Sequence, residues 1–114
     1  MSVEEMVVDA LDPLRAHKGR LPDKRTLPAL VVQVIAGSNE YTLEGDDGLR
    51  RRLVQIDAYS TTEYNADEYM KEADAKMQDA TTFVVAGVEV ASPGFENEPS
   101  LYRSSFQFIL WFDT

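Results

Sequence analysis

Cysteine is absent from the 114-residue chain, and histidine occurs once, at His17. Without cysteine there is no disulfide framework and no thiolate metal site, which fits a reducing cytoplasm. One histidine and no cysteine also leave too few preferred ligands for zinc. His17 is the sole candidate base for a serine or threonine triad, but it lies in a polar stretch without a distinctive neighbour and takes no catalytic role. No run approaches the ~20 apolar residues of a membrane span, so no membrane partner is expected. The start, MSVEEMVVDAL, carries acids where a signal peptide carries bases, so the chain is expected to be soluble and to stay where it is made. There is no Gly-rich phosphate loop or Walker sequence. Asp46 and Asp47 stand between glycines, yet the run Asp-Asp-Gly-Leu-Arg lacks the alternating oxygen ligands and closing Glu of a calcium loop. Acids such as Glu44, Asp46 and Asp57 are plentiful, but no spacing marks the separated pair of a glycosidase. These exclusions point away from an enzyme and call for neither metal nor cofactor.

Positive charge is scarce as well. Eleven Lys and Arg face twenty Asp and Glu, for a net charge of −9. Residues 1–27 hold five bases and five acids, so the whole surplus falls on residues 28–114. Such a chain repels a nucleic-acid backbone on average, because that affinity comes from Lys and Arg neutralising phosphates. No sequence-specific nucleic-acid partner is expected. The plain role of the charge is solubility.

What is present reads as one domain, 1–114, since this length supports a single core. Ser2 and Glu5 have capping-box spacing, and Val3, Met6, Val7, Ala10, Leu11 and Leu14 recur at three and four residues. A first helix follows, broken near Leu11 by Pro13. Residues 17–26 are polar and interrupted by Gly19 and Pro22, which predicts an exposed loop. After Pro28, ALVVQVIA is β-branched and forms a strand. Leu30, Val32, Val34 and Ala36 line one side, with Val31, Gln33 and Ile35 on the other, which predicts a strand covered on both sides. Residues 41–43 are a short extended segment before a Gly-Asp-Asp-Gly turn at 45–48. Residues 49–60 form the second long strand, with Val54, Ile56 and Ala58 on one face and Leu53, Gln55, Asp57 and Tyr59 on the other.

Thr61 or Thr62 caps a second helix to about Asp79. Ala66, Met70, Ala73, Met77 and Ala80 are its buried stripe. Its surface carries six acids against Lys71 and Lys76, with Asp67–Lys71 and Glu72–Lys76 spaced for i,i+4 ion pairs. Residues 83–90 make a strand interrupted by Gly87. Residues 102–112 make the last, with Tyr102, Ser104, Phe106, Phe108, Leu110 and Phe112 on one face and Arg103, Ser105, Gln107, Ile109 and Trp111 on the other. The order α-β-β-α-β-β predicts an α+β fold, two helices packed on a mainly antiparallel four-stranded sheet.

Three consecutive arginines stand at 50–52. On a strand Arg50 and Arg52 share the face of Val54 and Ile56 while Arg51 takes the other. Their heads then reach past the core edge into water. They can serve as a solvated strand end balancing Glu44, Asp46 and Asp47, or bind acidic surfaces of neighbouring copies, or phosphates.

Leu-Pro-Ala-Leu-Val at 27–31, Leu-Glu-Gly-Asp-Asp-Gly-Leu-Arg-Arg at 43–51 and Val-Gln-Ile-Asp-Ala-Tyr-Ser at 54–60 together resemble the tailed-phage tail completion family. Its members are also described as tail-to-head joining or tail terminator proteins. The segment 94–99 followed by Leu-Tyr-Arg-Ser-Ser-Phe-Gln-Phe is similar to the family's final strand, and the N-terminal helix with its proline-containing loop fits as well. The likeness covers nearly the whole chain, strongest at 27–60 and 101–112. It implies a non-enzymatic structural protein of a bacteriophage or prophage virion, in the tail or neck, assembled in the host bacterial cytoplasm. It further implies a hexameric ring of copies that completes the tail tube, with the tube protein and the head-tail connector protein as partners. In such a ring an acidic lumen would let DNA slide past. The excursion Tyr41, Leu43, Asp46, Asp47, Arg50 and Arg51 is the expected interface, since loops and hairpin tips reach neighbours without disturbing the core. An acidic protein-binding module, a nucleic-acid mimic or an immunity-type inhibitor, is the alternative that the charge allows.

Overall fold

Helix α1, Val3–Leu11, begins where Ser2 Oγ accepts the Glu5 amide at 3.2 Å and ends at Asp12, whose amide bonds to Asp9. The Ser2 hydroxyl also meets the Glu5 carboxylate at 3.2 Å, so the capping box closes through the two side chains. The computed structural model describes residues 2–22, 26–42, 45–90, 94–95 and 101–113, and for 36–42, 45–49, 94–95 and 113 only the backbone. Helix α2, Glu63–Gln78, is capped by Thr62, whose Oγ1 accepts the Asn65 amide at 3.1 Å. It buries Ala66, Tyr69, Met70, Ala73 and Met77 along one stripe. Lys71 turns to Glu68 at 3.3 Å, three residues back, rather than forming the expected i,i+4 pair with Asp67.

The helices lie on one face of a single mixed sheet. Its strands are β1 (Ala16–Lys18), β2 (Ala29–Thr42), β3 (Gly45–Ser60), β4 (Val84–Val90), β5 (Gly94–Phe95) and β6 (Tyr102–Asp113). Their spatial order is β1-β2-β3-β6-β4, with β5 also on β6. The α+β class, the two helices and the mainly antiparallel pairing match the sequence reading, but the count of four strands does not. β1 arises inside the segment expected to be a loop, and it pairs in parallel with β2, His17 opposite Val31. Backbone bonds from Leu30 to the Arg15 carbonyl and from Gly19 to the Val32 carbonyl hold it there. Gly19 turns the chain out of β1 at φ +82°, a left-handed conformation that favours glycine.

A second correction concerns the acidic turn. Thr42 pairs with Gly45 and Tyr41 with Asp46, so Gly45, Asp46, Asp47 and Gly48 belong to β3 rather than to a turn. A third concerns β2: a register shift after Val34 places Ala36 opposite Leu53, away from the row of Leu30, Val32 and Val34. β4 also carries an irregularity, between Val85 and Gly87, where the sequence had placed an interruption.

Under the helices the core unites Val7 and Leu11 of α1, Met70, Ala73 and Met77 of α2, and Leu30, Val32, Val54, Ile56, Phe108 and Leu110 of the sheet. Cross-strand neighbours Val32, Ile56 and Phe106, and Val34, Val54 and Phe108, show how one face is assembled. On the reverse face Leu21 and Leu27 pack over Val31, Tyr59 and Leu101. β2 is thus covered on both sides in its first half only, since Val34 and Ile35 are exposed.

Length sets the shape. A 16-residue strand at ~3.3 Å per residue spans about 50 Å, whereas a 16-residue helix at ~1.5 Å reaches about 24 Å. The long dimension of the molecule is 53 Å against 25 and 23 Å. α2 therefore shields about half of β3, and the far half of the β2–β3 hairpin projects beyond it.

Candidate assembly interface

The strand alternation that feeds the core leaves a second set of side chains on the reverse face, and three zones follow one another along it. Nearest the α2 N-terminus lies the small Leu21–Leu27 cluster. A polar belt comes next. The Gln107 amide donates to Gln55 Oε1 at 3.2 Å, and the Gln55 amide donates to Asp57 Oδ1 at 3.0 Å. The Ser105 hydroxyl donates to the same Asp57 oxygen. Gln33 donates to the Gly19 carbonyl at 3.0 Å and ties the chain leaving β1 to the belt. Beyond it stands an apolar zone of Leu53, Ile109, Trp111 and Val84, joined by register: Leu53 opposite Ile109, and Trp111 opposite Val84.

The three arginines sit at this far end, and the register separates them. Arg51 pairs with Trp111 on the reverse face, while Arg50 and Arg52 pair with Phe112 and Leu110 on the helix side. The division between faces agrees with the sequence reading. Arg52, however, does not send its head into water. Its guanidinium lies 5.8 Å from the Phe112 ring centre, a cation–π distance, and Nη1 donates to the Arg51 carbonyl at 2.8 Å. Arg51 and Trp111 are both half-buried. They place an arginine beside an indole at the edge of an apolar zone, the residue types that dominate protein–protein contacts.

Of the expected interface residues, Tyr41 and Asp46 pair with each other along the projecting hairpin and Asp47 follows in the same strand. Arg50 and Arg51 stand near its base, where β6 ends, and Leu43 lies outside the described residues. Trp111, Ile109, Leu53 and Val84, which form the apolar zone beside Arg51, were not among the residues expected there. The signal was available in part: the alternation put Leu53, Ile109 and Trp111 opposite the core, on a face that a solvated two-layer protein keeps polar.

A different surface lies along α2 and the outer strand β4. Tyr64, Asp67, Glu68 and Lys71 of α2 form one wall of a groove, and Val90, Ser104 and Phe106 of the sheet form the rest, enclosing about 390 Å³. Tyr64 and Val90 are each 72% exposed, and Val84 is 67% exposed. The outer side of α2 is acidic, with Glu63, Asp67, Glu72 and Asp79 exposed and Glu68 and Asp74 half-exposed. No group of three or more His, Asp or Glu is placed to hold a metal ion among the described residues. No helix among them is long and apolar enough to cross a membrane.

Both surfaces combine apolar side chains with charge. An apolar zone edged by arginine can bind a surface that offers carboxylates and apolar side chains, and the groove can bind the converse. A family model described as "Tail completion protein gp17" matches residues 4–113. No curated protein matches the chain.

Proposed function

Because the chain belongs to the tail completion protein gp17 family, we propose that it completes the tail tube and joins it to the head connector as a ring of copies. Membership makes it a structural protein of the bacteriophage tail, and the match carries the reading. The open face and the projecting hairpin supply what such a part needs, a rigid sheet that presents apolar and charged groups to neighbours. The partners in this reading are further copies of the chain, the tail tube protein and the head-tail connector protein. Tyr41, Leu43, Asp46, Asp47, Arg50 and Arg51 belong to the contact, with Trp111 at its centre. Assembly takes place in the host cytoplasm before the head is joined.

The acidic surplus suits the same role. A ring that carried its negative charge towards the passage would repel DNA phosphates and leave the molecule free to slide, whereas bound phosphates would slow it. The reading is tested by adding the purified chain to tail tubes that lack their completion protein. Negative-stain microscopy is expected to show density at one end of each tube. Those tubes should then acquire heads when connector-bearing heads are added. Tubes that stay bare at saturating protein, or capped tubes that join no heads, would overturn it.

A further inference from the structure

We infer that the groove between α2 and β4 receives the Arg51–Trp111 face of a second copy of this chain. The inference rests on the tail-completion reading and supplies its contact between neighbours. The groove offers Phe106 and Val90 as an apolar floor, Tyr64 as an exposed aromatic wall, Asp67 on its rim, and Glu68 paired with Lys71. Its occupant must bring apolar surface together with positive charge. Two copies at −9 each repel on average, so a copy approaching the acidic side of α2 has to bring a cation to it. From residue 28 onward the chain has six bases, and three of them are Arg50, Arg51 and Arg52. Arg51 stands in register with Trp111 and Val84 beside Leu53 and Ile109, so the cation and the apolar surface come on one face.

The two patches are separate. The groove lies at the Phe106 level of β6, and the arginine lies at the Trp111 level on the opposite face. The contact is therefore heterologous: each copy gives its face to one neighbour and takes the face of another in its groove. Contacts of this kind close into a ring or run on into a filament.

The absence of cysteine makes the test direct. Val84→Cys and Tyr64→Cys chains, which keep Arg51 and Asp67, are prepared separately, mixed at up to millimolar concentration and treated with a short bis-maleimide. The expected product is a mixed dimer, at a yield at least about tenfold above that of Val84→Cys mixed with Asp9→Cys, a site on exposed α1 surface. Far-UV circular dichroism matching the parent chain establishes that each variant is folded. In a second arm Arg51→Glu in the Val84→Cys chain is expected to suppress the link, and Asp67→Arg in the Tyr64→Cys chain to restore it. Equal yields for the two mixtures, self-linking of Val84→Cys alone, or linking of Tyr64→Cys only to added tube protein would each overturn the inference. Tubes that are capped while the cross-link is missing reject this contact and keep the function. A cross-link without capping does the reverse.

Discussion

Asp57 is a carboxylate on the sheet face away from the helices, yet it is only 2% exposed. Burying such a group is unfavourable unless its oxygens are bonded, and here Ser105 and Gln55 both donate to it. Asp57→Ala would leave a buried hydroxyl and an amide without their acceptor, at about 1–3 kcal/mol for an unsatisfied group. Urea denaturation should show that loss as a lower midpoint with an unchanged slope. Asp57→Asn keeps a carbonyl acceptor at the same place and should lose less. Equal losses for the two variants would mean that the belt does not depend on the acceptor. Tyr69 makes a similar single link on the other face, where its hydroxyl accepts the Arg15 amide at 2.7 Å and ties α2 to the segment that leads into β1. Tyr69→Phe removes that acceptor with little change in shape and should cost about 1 kcal/mol by the same measurement.

Among the elements, α2 depends on a local signal at its start and on packing along its length. Thr62 supplies the cap, so Thr62→Ala should destabilise the protein by about 1 kcal/mol, while Thr62→Ser should restore most of it. Thermal unfolding of the three chains tests this, and an unchanged midpoint in Thr62→Ala would remove the cap from the account. Signals of this local kind are what made the helices legible: Ser2 with Glu5, Thr62, and the three-and-four spacing of Val7, Leu11, Met70, Ala73 and Met77. Strand faces were legible too, because alternation is intrinsic to an extended chain. β1 was not, since Ala-His-Lys has no strand-like composition and exists through bonds that Arg15, Gly19, Leu30 and Val32 make across the fold. The Gly-Asp-Asp-Gly run misled for a related reason. Its residues carry turn chemistry, but the register of β2 on β3 is tied to buried pairs such as Val32 with Ile56, and β3 extends through Gly45. The candidate interface was half legible. Alternation places Arg51 opposite the core, but only the order β3-β6-β4 reveals that Trp111 and Val84 stand beside it.

At the scale of the whole molecule, the fold divides into a helix-covered body and a projecting arm, and the two should respond differently to change. Phe108 is fully buried in the body's core, and Phe108→Ala should cost about 3–5 kcal/mol, a large share of the stability of a domain this size. Before Leu49, β3 pairs only with β2 among the described residues, because the pairing with β6 begins at Leu49 opposite Asp113. Replacing residues 40–49 by Asn-Gly would join Asn39 to Arg50, which already face each other, through a two-residue hairpin turn. The shortened chain should lose no more than about 1 kcal/mol in urea denaturation, since the pairing it gives up is that of β2 with β3 before β6 joins the sheet. Its ability to cap tail tubes should disappear if the arm makes the contact, as the placement of Tyr41, Asp46 and Asp47 implies. Capping that survives truncation and is lost on Arg51→Glu would move the contact from the arm to the Arg51–Trp111 face. The body would then be sufficient for assembly, and the arm's acids would have no part in it.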